Sequence, residues 1–202
     1  MSELFSLSEA AAIAEIAPDT IRTALEKKSV TPSHRNRVGN SVRYHFSAGD
    51  ILFVKVLTEF PFALSKHDKL SLSKVLAGGN KQAACWSLRG SDLIYQSAEL
   101  RLSIGIKKIR QTLASNLALF RYGKRRIRSS AEILGGEPVF GGTRIPLRHV
   151  ASLFRKGVPE KEIREDFPYL APRDLEYARL ASRFLDKPGR PRKRLSVQKR
   201  AA

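Results

Sequence analysis

The glycine- and proline-rich segment 135–146 constrains the fold of this chain more than any other part of the sequence. Its twelve residues include four glycines and two prolines, with Val139, Phe140 and Ile145 interleaved among them. Glycine permits the left-handed backbone that tight turns require, and proline restricts φ. We therefore predict two tight turns that bury apolar side chains. We also expect Arg144 to be held inside the motif by hydrogen bonds or an ion pair, because an unpaired buried guanidinium is costly.

Three short helices are predicted to follow this segment. Residues 147–156 form the first helix, which Gly157 ends, and residues 159–166 and 172–185 form helices that each begin with a proline. The short middle helix and the tight connections are typical of a helix-turn-helix unit. Residues 131–186 are therefore expected to form a C-terminal three-helix, helix-turn-helix-like domain.

The motif Gly-Gly-x-Pro-x-x-x-Gly-Thr-Arg-Ile-Pro resembles a small bacterial domain of unknown function that recurs in VapB-like antitoxins of toxin–antitoxin pairs. The similarity continues through Gly157, residues 162–163, residues 166–170 and Ala178. At Ala171 the family more often has Thr or Ser, whose hydroxyl would cap the last helix and add about 1 kcal/mol of stability. The resemblance implies a PIN-like ribonuclease toxin as partner, with a magnesium-holding cluster of acids, neutralised by direct binding.

Residues 1–60 predict a second small domain. The pattern indicates a helix over 7–16 that Pro18 stops, a helix over 19–28, a β-hairpin around the turn 38–40, and a supporting helix over 48–57. Outward side chains of the second helix are placed to reach base edges, and hairpin cations suit phosphate contacts. The candidate DNA-binding residues are Thr20, Arg22, Thr23, Lys27, Arg35, Arg37 and Arg43.

The run Arg43-Tyr44-His45-Phe46-Ser47-x-x-Asp50-Ile51, with the helix, turn, helix and hairpin around it, resembles the winged N-terminal domain of MerR-like regulators. The resemblance implies binding to promoter double-stranded DNA, and operator symmetry favours a homodimer or a higher toxin–antitoxin assembly. The fold class expected for the chain is mainly α with small β elements, a winged helix-turn-helix domain and a three-helix domain. Which of the two helix-turn-helix-like units contacts DNA stays open, as does a small α/β module with a basic hairpin.

Residues 61–130 are expected to connect the two domains. We predict a helix over 66–77, strands over 85–88 and 92–95, and a long amphipathic helix from residue 103 that ends at Gly123. Trp86 is expected in the core, and Cys85 beside it is expected to be a buried, inert thiol.

The net charge of +18 is concentrated in two segments. Residues 101–130 contain nine basic and no acidic residues, and residues 187–202 contain seven and none. Clustered cations favour a polyanionic partner. The tail, 187–202, is expected to be disordered when free, and its Gly-Arg-Pro-Arg run resembles the AT-hook. It suits an A·T minor groove, the acidic metal site of a nuclease, or merely a solubilising role. Its candidate contact residues are Arg190, Arg192, Lys193 and Arg194.

The residue pattern contains no recognisable catalytic constellation. The four histidines are scattered over different predicted elements, and no phosphate-loop or dinucleotide motif accompanies the glycines. We expect a cytoplasmic protein with no enzymatic activity, cofactor, metal site or membrane span. Two other functions are compatible with the sequence. One is a stand-alone MerR-like transcription regulator without a toxin, and the other is an RNA- or ribosome-associated basic protein.

Overall fold

The computed structural model describes residues 3–39, 41–60, 64–76, 82–98 and 100–185. This part of the chain is mainly α-helical and carries three small antiparallel β-sheets, so the coarse fold class is confirmed. The candidate tail residues 190–194 lie outside the described residues.

The N-terminal part alternates helices with a three-stranded sheet of order β1-β3-β2. Both predicted helices are present but shorter than expected. The first ends where Glu15 adopts the left-handed conformation at φ 55°. The alanines at positions 10, 11, 12 and 14 are buried, and their small side chains let neighbouring helices approach closely. The elements are β1 (Phe5–Ser6), α1 (Leu7–Ala14), α2 (Pro18–Glu26), β2 (His34–Val38), β3 (Ser41–Phe46) and α3 (Ala48–Thr58).

The middle of the chain forms a four-stranded antiparallel sheet of order β4-β5-β6-β7. Its last strand was assigned to the long helix by the sequence pattern, and that assignment is wrong because residues 101–105 pair along β6. Trp86 is fully buried as expected, whereas Cys85 is only half-buried, since it lies in the turn before β5. The elements are α4 (Lys66–Leu76), β4 (Gln82–Ala83), β5 (Trp86–Arg89), β6 (Asp92–Gln96) and β7 (Arg101–Gly105).

The C-terminal part contains the three predicted helices and a two-stranded sheet. The long helix α5 (Lys107–Arg126) does not end at Gly123 as predicted but runs through it. The glycine is needed there for close packing rather than for a turn. The remaining elements are β8 (Ile127–Arg128), β9 (Val139–Phe140), α6 (Leu147–Arg155), α7 (Glu160–Asp166) and α8 (Pro172–Ala181).

Two apolar cores meet on α5. The first core joins the N-terminal helices to the middle sheet and includes Phe5, Trp86 and Phe120. The second core lies among α6, α7 and α8 and includes Phe140 and Leu175. Side chains such as Leu119 and Phe184 contact both cores. Buried side chains of α4, of the middle sheet and of α5 therefore belong to the same core as the N-terminal helices.

Candidate nucleic-acid interface

The exposed face of α2 carries three of its four candidate residues. Arg22, Thr23 and Lys27 are exposed, whereas Thr20 is half-buried on the flank of the helix. Since each residue advances a helix by about 100°, Arg22 lies roughly 200° around the axis from Thr20. The structure therefore does not place these two side chains side by side, as the sequence had suggested for base-reading residues.

Acidic side chains share the exposed face of α2. Arg22 donates a hydrogen bond to Asp19, one turn earlier on the same helix. An exposed pair of this kind contributes little to stability, so the guanidinium can be drawn away by a stronger acceptor. The side chain of Lys27 is exposed and makes no hydrogen bond or ion pair with any described residue, so its ammonium group is available to a ligand.

The hairpin of β2 and β3 divides its arginines between two faces. Arg35 is opposite Tyr44 and Arg37 is opposite Val42, so these side chains share one face of the hairpin. Arg43 pairs with Asn36 and lies on the other face. The guanidinium of Arg35 lies 6.0 Å from the centre of the Tyr44 ring. The candidate cations therefore flank the hairpin on both sides.

The hairpin leaves the core towards its tip. Phe46, at the base, is fully buried, Tyr44 is half-buried, and Val42 is 36% exposed. Alternate side chains of β3 therefore pack inward only towards its base, because the strands extend beyond the core that covers it. Arg37 and Arg43, near the tip, make no ion pair with any described residue and are exposed to solvent.

A hydrogen-bonded carboxylate fixes the base of the hairpin. Asp50, in the first turn of α3, accepts hydrogen bonds from the backbone N–H of Ser47 at 2.8 Å and of Ser33 at 3.0 Å. The Ser47 hydroxyl in turn accepts a hydrogen bond from the Asp50 backbone N–H at 3.2 Å. This capping box begins the helix and ties the start of β2 to it. The base of the hairpin is thus held against the start of α3.

The arginines of α8 and of the turn that follows it make contacts within the protein. Arg179 pairs with Glu160 and lies 5.1 Å from the centre of the Phe154 ring. Arg183 is 3.3 Å from Glu15, and Arg173 lies over the ring of Tyr122. These three arginines are therefore already engaged, whereas Arg37 and Arg43 of the hairpin make no ion pair with any described residue.

The arginine that is held by hydrogen bonds in the C-terminal part is not the one predicted from the sequence. Arg144, expected inside the glycine-rich motif, is exposed, because the turn carries its side chain outward. Arg126, at the end of α5, supplies the paired guanidinium instead. It donates from Nε and Nη2 to the Asp174 carboxylate at 2.9 and 3.0 Å, and from Nη1 to the backbone oxygen of Gly141 at 2.7 Å.

Asp174 is fully buried and accepts four hydrogen bonds from three residues. Besides Arg126, it accepts hydrogen bonds from the Tyr122 hydroxyl at 2.8 Å and from the backbone N–H of Ala171 at 3.1 Å. The last contact is one half of a capping box, and the other half is missing because Ala171 has no hydroxyl to accept a hydrogen bond from the helix. Burial alone would raise the pKa of Asp174, but the hydrogen bonds from these partners outweigh it and lower the pKa below its ordinary value.

Neither Asp174 nor its link to Arg126 was identified from the sequence. The two residues are 48 positions apart, and an aspartate in the first turn of a helix is ordinarily taken as a solvated cap. The available signal was the position of Arg126 in the basic run 124–128, shortly before the glycine-rich segment.

Among the described residues, no cluster of three or more His, Cys, Asp or Glu side chains is arranged to hold a metal ion. A search of the same part of the chain finds no helix with the length and apolar character needed to cross a membrane.

Comparison with known proteins assigns part of the chain to a family. Residues 127–179 match the family described as Protein of unknown function (DUF433). The matched segment runs from β8 into α8 and therefore contains the glycine-rich motif and Asp174. No curated protein and no solved structure matches the chain. The match covers less than half of the residues and does not reach the N-terminal helices or the hairpin.

Proposed function

We propose that this protein is the antitoxin of a type II toxin–antitoxin pair. Its N-terminal helices and hairpin bind promoter DNA as a winged helix-turn-helix, and its C-terminal part and tail neutralise a PIN-like ribonuclease toxin by direct binding. The observation that carries the DNA-binding half is the order α1, α2, hairpin and α3, with exposed cations on and just after α2 and at the hairpin tip.

In the docking that we propose, α2 contacts bases and the hairpin contacts phosphates. The exposed face of α2 enters the major groove, where Arg22 exchanges Asp19 for a base acceptor and Thr23 lies beside it. Arg37 and Arg43, on opposite faces of the hairpin, contact phosphates on either side of it, and Lys27 adds a further phosphate contact. The acids on α2 reduce non-specific attraction, which favours selection of sequence over general affinity for DNA.

The antitoxin half of the proposal is supported by the C-terminal segment. The glycine-rich motif that resembles a domain of VapB-like antitoxins is the segment that matches DUF433. A tail with seven basic and no acidic residues complements an acid-lined nuclease site. The alternative is a MerR-like regulator that acts alone. Such a protein would bind its promoter but would co-purify with no acidic partner encoded in the adjacent reading frame.

Substitutions on α2 and on the hairpin should have different effects on DNA binding. Arg22→Ala should reduce the preference for the promoter over a scrambled duplex by about 1–3 kcal/mol, because it removes a base contact. Arg37→Ala should weaken binding to both duplexes about equally and lower the salt slope by about 1, because it removes a phosphate contact. Fluorescence anisotropy at several salt concentrations measures both quantities.

The matched control for these variants is Arg148→Ala, since Arg148 is an exposed arginine on α6, outside the proposed interface. It should leave both duplex affinities unchanged. Equal losses of duplex affinity in all three variants would mean that binding depends only on total charge. That result would contradict a base contact by Arg22 and a phosphate contact by Arg37.

Removal of the tail should separate the two proposed activities. A chain truncated after residue 186 should bind promoter DNA within a few-fold of the full chain. It should no longer neutralise the toxin, because the tail arginines proposed to bind the toxin's acidic site are gone. Glutamine in place of Arg190, Arg192, Lys193 and Arg194 should reproduce the loss without shortening the chain. Growth rescue and RNA cleavage assays with the co-expressed toxin test this. Full neutralisation by the truncated chain would contradict a role for the tail.

A further inference from the structure

A pocket of about 230 Å³ lies between α2, α3 and α4 and has no role in the account so far. Its apolar lining consists of side chains that are buried or half-buried. An apolar cavity of about 150 Å³ is large enough for benzene, so this pocket accommodates roughly ten non-hydrogen atoms. The apolar lining residues are Ala24, Val54, Leu57, Phe60 and Leu64.

The polar lining of the pocket is positively charged. Lys27 and Lys69 both line it, and no acidic side chain does so among the described residues. Lys69 donates a hydrogen bond from Nζ to the Ser29 hydroxyl at 3.3 Å, which leaves its charge without a counterion. The hydroxyls of Thr20, Thr23 and Thr58 supply further hydrogen-bonding groups.

This combination selects a chemical class of ligand. The apolar lining gains from contact with an apolar body, and the two lysine ammonium groups gain from an anion. A phosphate of DNA would satisfy the lysines but would leave the apolar lining in contact with water. We propose that the pocket binds a small carboxylate whose apolar body has about ten non-hydrogen atoms.

The position of the pocket gives such a ligand a consequence for DNA binding. Thr23 and Lys27 line the pocket and also belong to the candidate DNA-binding face. An occupied pocket engages these side chains and adds negative charge next to the path of the phosphates. The ligand therefore competes with promoter DNA, a step that rests on the proposed function.

Calorimetric titration of the full chain with three probes tests the pocket without DNA. Benzoate, benzyl alcohol and benzylamine share one ring and differ in charge, so we expect benzoate to bind most tightly and benzylamine most weakly. Lys27→Gln should weaken benzoate on the order of tenfold and leave benzyl alcohol unchanged. Lys66 lies one turn before Lys69 on α4 and outside the pocket lining, and Lys66→Gln should change the binding of neither benzoate nor benzyl alcohol.

A second variant removes the space rather than the charge. Ala24→Leu should abolish binding of benzoate and benzyl alcohol alike, and thermal unfolding establishes that the variant is folded. If Ala24→Leu does not fold, the affinities of Lys27→Gln and Lys66→Gln for benzoate still test the proposal. No binding of benzoate, equal binding of the three probes, or equal losses in the two lysine variants would overturn the proposal.

A final arm separates this inference from the proposed function. Benzoate should displace promoter DNA from the wild type but not from Ala24→Leu. A protein that binds benzoate but no DNA would overturn the proposed function and leave the pocket standing. A protein that binds DNA but not benzoate would overturn the pocket, and simultaneous binding of both would overturn the competition.

Discussion

Asp174→Asn should lower the free energy of unfolding by about 2–4 kcal/mol, measured by urea denaturation. The substitution leaves the guanidinium of Arg126 without its counter-charge and puts an amide nitrogen where the carboxylate accepts from Tyr122 or Ala171. Removing one partner of a fully buried ion pair costs about 3–5 kcal/mol. We expect a smaller loss of stability than for a fully buried pair because 31% of the Arg126 side chain remains exposed.

The matched control is Glu160→Gln, which removes a carboxylate that also pairs with two arginines, Arg164 and Arg179. That cluster is more exposed, so its loss should cost less than about 1 kcal/mol. Equal destabilisation in the two variants would contradict the special position of Asp174.

The effect of Asp174→Asn should also depend on pH. Because the pKa of Asp174 is lowered in the folded protein, the unfolded chain binds more protons near and below pH 4. The stability that the carboxylate contributes is present above the unfolded pKa and is lost as the pH falls through the folded pKa. The difference between wild type and variant should therefore shrink with acidification, and a constant difference would contradict this linkage.

Gly123→Ala should destabilise the protein by about 1–3 kcal/mol, although alanine is the better helix former by about 1 kcal/mol. A Cβ at this position of α5 would lie 2.0 Å from Cζ and 2.1 Å from Cε2 of Tyr177. That ring, on α8, is only 5% exposed, so it has little room to move. The clash outweighs the gain in propensity, and urea denaturation measures the net change.

Two comparisons test that explanation. Gly49→Ala, near the start of α3, should be neutral or slightly stabilising, because its Cβ would meet only the Ser47 hydroxyl at 3.6 Å. Tyr177→Leu should recover part of the loss when combined with Gly123→Ala, giving a coupling energy between the two sites. A Gly123→Ala protein as stable as the wild type would show that α5 and α8 do not pack this closely.

Elements that local chemistry begins and ends were predictable from the sequence. Ser6 and Glu9 form a capping box that starts α1, Ser47 and Asp50 start α3, and the alternation of residues 41–46 defines a strand. The three C-terminal helices were likewise predicted from their prolines and from Gly157. In each case the information lies within a few residues of the feature.

Features that depend on distant residues were not predictable. The spacing of Ile106, Ile109 and Leu113 is helical, but whether the preceding residues extend that helix or pair with β6 depends on a strand ten residues earlier. In the local sequence Gly123 is typical of a helix end, and only its close packing against Tyr177 explains a glycine inside α5. The groups that line the pocket come from three helices, and no local pattern joins them.

Binding of promoter duplex DNA and of a duplex RNA of equal length, compared over a range of salt concentrations, tests the central claim most directly. The account predicts that DNA is bound more tightly than RNA, that affinity falls as salt rises, and that Arg37→Ala and Arg43→Ala weaken both. Equal affinity for the two duplexes would instead indicate an RNA-associated basic protein, and no binding to either would contradict the account.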